Sequence, residues 1–134
     1  MGSPQLQVQR AAYQLLTADS VITSLAGVYD QVPENRVFPY VVVGDVTDRP
    51  MDSFSSLGRL AILTISAWSQ YPGFAHAFTL ASQIIIDLDR VTLPGFVGYA
   101  SVRCQYKGCQ TRVDMDGLSR EVRVQFDVYA ETLY

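Results

Sequence analysis

Residues 74 to 89, FAHAFTLASQIIIDLD, decide how the chain is read, because this is its longest run with an unbroken helical period. Phe74, Phe78, Ala81, Ile85 and Leu88, with Ala77 and Ile84 beside them, recur at steps of three and four and predict one apolar stripe on a helix. Leu80 and Ile86 widen that arc, so more than one neighbour is expected to cover it. Pro72 and Gly73 isolate the start, and Pro94 with Gly95 ends the run, since proline cannot continue a helix. Burying about five of these side chains is worth on the order of 10 kcal/mol before chain entropy, enough to fasten the helix to a sheet.

Working outward toward the N-terminus, Ser3-Pro4 opens a first helix over roughly 4 to 17, with Leu6, Arg10, Tyr13 and Leu16 on one side and Ala12 and Leu15 alongside. Asp19 caps a short second helical segment, 20 to 26, which Gly27 is expected to close in a left-handed conformation. Val28 to Asp30 is a short strand or loop, and 30 to 39, with two prolines, is a connection. Tyr40 to Val46 is apolar on both parities, the mark of a strand covered on both faces. Thr47 to Gly58 predicts a long loop carrying Met51, Phe54 and Leu57, side chains that either fold back on the core or meet a partner. Arg59 to Trp68 is a central strand.

Beyond the helix, Phe96 to Lys107 alternates, with Ala100, Val102, Cys104 and Tyr106 opposite Ser101, Arg103, Gln105 and Lys107. Asp114 to Gly117 is a hairpin turn, and from Val122 to Ala130 the alternation is that of a half-buried strand. The order predicts a single α+β domain over residues 1 to 134: a mostly antiparallel sheet of about four to five strands with two main helices on one face. Arg103, Gln105, Lys107, Arg123, Gln125 and Asp127 would form the uncovered sheet face. No internal repeat or low-complexity tract interrupts it.

The composition narrows function mainly by exclusion. A net charge of -3 and a pI near 4.9 argue against gripping nucleic acid through its phosphates. No apolar run approaches the roughly 20 residues of a membrane-spanning helix, and the N-terminus lacks the pattern of a secretion signal, so cytoplasmic synthesis is expected. All the basic residues but Lys107 are arginine, the cation favoured at protein interfaces. His76, the single histidine, reads as a helix-surface residue rather than a catalytic base. Asp87 and Asp89 are two apart on a helix, so they point in different directions and are expected to be solvated. Cys104 and Cys109 are five apart and are placed on opposite faces by alternation, which disfavours a disulfide; a metal site would need further ligands. Asp114, Asp116 and Gly117 lack the remaining oxygen ligands of a calcium loop. Neither a phosphate cradle nor a stacking platform for bases is found. No catalytic residue, cofactor or metal is expected.

Val32-Pro33, the run Phe38-Pro39-Tyr40-Val41-Val42-Val43-Gly44, the strand ending Ala67-Trp68-Ser69 and the hairpin centred on Asp114 to Gly117, taken with the element order, resemble the tail-terminator, or tail-completion, proteins of long-tailed bacteriophages and gene-transfer particles. The likeness covers nearly the whole chain. It implies a structural virion protein, assembled in the host cytoplasm, that forms a ring, usually of six copies, on the head-proximal end of the tail tube. There it would end tube growth and meet the tube protein and the head connector or stopper, with DNA passing through the lumen unbound. Competing readings are a head-completion, stopper or tail-tube protein, or a small ligand-binding α+β domain. The candidate interface residues are Arg49, Met51, Phe54, Leu57, Arg103, Arg123, Tyr129 and Tyr134.

Overall fold

The computed structural model describes residues 4–35, 37–52, 58–93 and 99–132. Three helices, α1 (Gln5–Ala18), α2 (Ser20–Leu25) and α3 (Ala75–Leu88), pack on one face of a six-stranded sheet. The strands are β1 (Gly27–Tyr29), β2 (Tyr40–Pro50), β3 (Gly58–Ser69), β4 (Val91–Thr92), β5 (Tyr99–Val113) and β6 (Arg120–Thr132), in the spatial order β1-β2-β3-β6-β5-β4. Among the described residues only β1 and β2 pair in parallel. The sheet exceeds the expected strand number through β4, a two-residue edge piece too short to leave a periodic signal. The chain leaves β3, crosses by α3 to the far side of the sheet, and returns through the β5–β6 hairpin. This inserts β6 beside β3, in register from Gly58↔Glu131 to Ser69↔Arg120.

The core lies between the helices and the sheet, and β6 anchors it: Val122, Val124, Phe126, Val128 and Ala130 are all fully buried. Facing them on β3 are Ala61, Leu63, Ile65 and Ala67. The helices present different stripes from those expected. On α3 the buried residues are Ala77, Leu80, Ala81, Ile84 and Leu88, while Phe78 and Ile86 are exposed. On α1 they are Val8, Ala11, Ala12 and Leu16, while Leu6 and Tyr13 are exposed. Small alanines let each helix sit close to its neighbours, and both apolar arcs are wide enough that periodicity alone does not fix the rotation. The three large buried side chains of α3 contribute roughly 5–9 kcal/mol before entropy.

Several local expectations are corrected in the same way. Gly27 opens β1 instead of closing α2, whose C-cap, Ala26, is extended. Asp19 does cap α2, its Oδ1 accepting the Val21 N–H at 2.8 Å. The expected loop from Thr47 is strand as far as Pro50, paired to Arg59 through Ile62, so the connection begins at Met51. Beyond Val43, β2 is covered on one face only, since its residues alternate between partly covered and exposed. Phe96 lies outside the described residues; β5 is described from Tyr99 and continues past Lys107 to Val113. An irregularity between Tyr106 and Gly108 shifts the alternation by one residue. Cys104 and Cys109 therefore both pair with inward-facing residues of β6, Val128 and Val124, rather than pointing to opposite faces. Cys104 is buried and Cys109 is exposed; both are free thiols. Burial pushes the Cys104 thiol up to about 12, which leaves it unreactive.

Candidate interaction surface

The face of the sheet away from the helices carries the candidate residues. Strand register places Arg49 opposite Leu60, Leu60 opposite Tyr129, and Tyr129 opposite Arg103, so Arg49, Tyr129 and Arg103 share one cross-strand row. Met51, Leu60, Arg103 and Tyr129 line a depression of about 540 Å³ together with Arg90 and Asp127. Met51 is 41% exposed, whereas Tyr129 is half-buried. Arg123 stands three rows away along β6, at the edge of a smaller trough of about 340 Å³ between Gly44, Thr64 and Gln125. Phe54, Leu57 and Tyr134 lie outside the described residues.

Around Arg123 the structure shows a cluster that alternation did not single out. Glu121 is only 3% exposed although none of the described helices covers this face. Its Oε2 accepts the Ser66 hydroxyl at 2.6 Å, and its Oε1 accepts Arg112 Nε at 3.1 Å and Arg123 Nη2 at 3.4 Å. Arg112 lies 5.6 Å over the Trp68 ring, which stacks on Tyr40 at 6.2 Å. Phe38 and Tyr29 extend the aromatic group from the other side. The two guanidiniums and the hydroxyl satisfy the buried carboxylate, which in turn fixes the orientation of both arginines. About half of each arginine side chain stays exposed, and Arg112 Nη1 also lies 3.7 Å from Asp114 Oδ1. Counting outward from Asp114–Gly117 sets Arg112 against Ser119; the turn is longer, closed by the Asp114 N–H on the Ser119 carbonyl, and this sets Arg112 against Glu121 and over Trp68.

Elsewhere, polar groups complete the fold. Ser69 Oγ is buried, accepts the Tyr71 N–H at 3.1 Å and contacts His76 Nδ1 at 3.3 Å. His76 is thereby joined to a turn; no acidic partner for it is found among the described residues. Asp116 accepts from the Leu118 and Ser119 N–H groups and from the Ser119 hydroxyl, so its carboxylate holds the hairpin turn. Among the described residues no group of three histidine, cysteine or acidic side chains is placed to hold a metal ion.

Asp87 and Asp89 do point apart, but neither is merely solvated. Asp89 Oδ1 accepts the Tyr106 N–H at 2.8 Å on the edge of β5. Asp87 is half-buried and faces Asp19, whose Oδ2 also accepts Gln83 Nε2 at 2.8 Å. Burial, reinforced by the Asp19 charge, pushes the Asp87 carboxyl up to about 7. Its Oδ2 is buried and accepts no hydrogen bond, which fits a protonated carboxyl that donates toward Asp19. The Asp19 carboxyl is held below the usual range by that bond from Asp87. The pair fastens α2 to α3.

The family model for tail completion protein gp17 matches residues 10–131. Among solved structures, a chain from the virion of a native gene transfer agent particle superposes with a TM-score of 0.81 at 25% sequence identity, over 92% of this chain and 94% of that one. No curated protein sequence matches. With a family match over nearly the full length and the same fold in a gene transfer agent virion, the chain belongs to the tail completion protein gp17 family and is a structural protein of the virion tail.

Proposed function

We propose that six copies form a ring on the head-proximal end of the tail tube, ending tube growth and joining the tail to the head connector. The uncovered sheet face is the observation that carries this reading. It presents Arg49, Tyr129 and Arg103 in one row and Arg123 in another, on a rigid support, with Met51 at its edge. Arginine and tyrosine dominate the binding energy of protein interfaces, and a face held by a packed core loses little freedom on docking. Met51, Phe54 and Leu57 of the β2–β3 connection, and Tyr134 near the C-terminus, extend the contact to a neighbouring copy or to the tube protein. The acidic total of -3 suits a lumen through which DNA slides, because carboxylates repel phosphates. The work is done by contact surfaces, without catalysis.

The test is assembly in the particle. Arg49→Glu combined with Tyr129→Ala is expected to leave the monomer folded and to yield tails of irregular length that lack heads, counted by electron microscopy. Full-length, head-attached tails with this variant would overturn the assignment of the sheet face.

A further inference from the structure

The two flanks of the sheet carry opposite charge. On the β1–β2 side, residues 30 to 52 hold Asp30, Glu34, Asp45, Asp48 and Asp52 against Arg36 and Arg49. Among these acids only Asp48 is half-covered; the others are exposed. On the β5–β4 side, residues 89 to 114 hold Arg90, Arg103, Lys107 and Arg112 against Asp89 and Asp114. The Arg90 side chain is 80% exposed and that of Lys107 44%. Strand order sets these flanks at opposite ends of one sheet.

The flanks also differ in their backbone. The β2 edge is blunted: β1 covers Tyr40 to Val42, Gln5 Nε2 donates to the Val46 carbonyl at 2.8 Å, and Pro50 ends the strand. The β5 edge is covered by β4 only at Arg103 and Cys104, with the Leu93 N–H on the Val102 carbonyl and Asp89 on the Tyr106 N–H continuing the cover. Among the described residues no strand runs beside Lys107 to Val113 on the side away from β6.

From this polarity we infer that copies of this chain meet head to tail, the basic β5–β4 flank of one against the acidic β1–β2 flank of the next. A two-fold contact would set like charge on like, whereas a head-to-tail contact pairs opposite charges at every joint and closes into a ring when the rotation allows. The blunted β2 edge makes the joint one of side chains, not of strand addition. The inference rests on the ring reading above and adds to it which surfaces touch.

Two variants test it. The first, Arg103→Glu with Lys107→Glu, makes both flanks acidic; the second, Asp45→Lys with Asp48→Lys, makes both basic. None of the four residues is buried, and the Lys107–Asp127 pair, at 3.9 Å and half-exposed, adds little to folding. Circular dichroism and melting check that each variant remains folded. Wild type and variants are compared by light scattering at low salt and by imaging on purified tail tubes. The expected result is loss of the ring in each variant alone, its return when the two are mixed, and its return in the chain carrying all four changes. Rings formed by either variant alone would overturn the flank assignment while leaving the ring intact. Wild type that forms no ring in solution or on tubes would overturn the ring reading itself.

Discussion

The two faces of one sheet have different tasks, and the contrast shows where this protein keeps its stability and where it keeps its contacts. On the helix side, β6 buries Val122, Val124, Phe126, Val128 and Ala130 completely, with no polar atom among their side chains. On the opposite side the same strand presents Glu121, Arg123, Gln125, Asp127 and Tyr129, of which only Glu121 is buried. The first face is held by area removed from water, the second by a charge cluster that keeps two arginines in fixed positions. One strand serves both because its side chains alternate.

The largest expected difference between the faces is in the core. Phe126→Ala removes the bulkiest fully buried side chain and should cost about 3–5 kcal/mol in chemical denaturation, enough to leave much of the chain unfolded. A loss below 1 kcal/mol would mean that the helix layer does not close over β6 as described. On the open face, Glu121→Ala should cost less, about 1–3 kcal/mol, because Arg112 and Arg123 can regain water once the carboxylate is gone. The same variant should weaken assembly more than its stability loss explains, since both guanidiniums lose their anchor. Equal damage to folding and to assembly would remove the distinction between the faces.

The third prediction concerns the helix layer alone. The Asp87 carboxyl stands at about 7 in the folded chain against 3.8 for an ordinary aspartate, so between these values the folded state holds a proton that the unfolded state does not. Its contribution is fully present below pH 3.8 and is lost as pH rises through 7. The lowered Asp19 carboxyl acts in the opposite sense, its contribution falling away as pH drops through its folded value. Asp87→Asn, which keeps a donor toward Asp19, should therefore flatten the decline of stability between pH 5 and pH 8, read from melting curves across that range. An unchanged pH profile would show that Asp87 is ionised in the folded state.

Much of the fold was legible in the sequence because strands alternate with a period that tolerates few alternatives. The β6 pattern and the Asp-Met-Asp-Gly turn fixed the hairpin, and the polar parity of Arg103, Gln105 and Lys107 marked the open face. Helix rotation was less legible. Both α1 and α3 carry apolar residues over a wide arc, and only contact with the sheet selects Ala11 and Ala77 over Leu6 and Phe78. Pairings at the ends of elements were hidden for a related reason: β2 runs to Pro50 because β3 accompanies it, not because Thr47-Asp48-Arg49 favours a strand. Of the candidate surface, Arg49, Arg103 and Tyr129 fall in one row that no local pattern predicts, since it depends on the register of three separate pairings. The Glu121 cluster depends on a turn two residues longer than Asp114–Gly117 and on the placement of Trp68 from β3.

The central claim, that this tail protein acts through ring contacts of an open, arginine-bearing sheet and its charged flanks, is tested most directly by imaging the head–tail joint of the particle at side-chain resolution. The account predicts a closed ring of six copies at the head-proximal end of the tube, with Lys107 and Arg103 of each copy facing Asp45 and Asp48 of the next. A single copy at that joint, or a ring whose copies touch only through their helices, would contradict it.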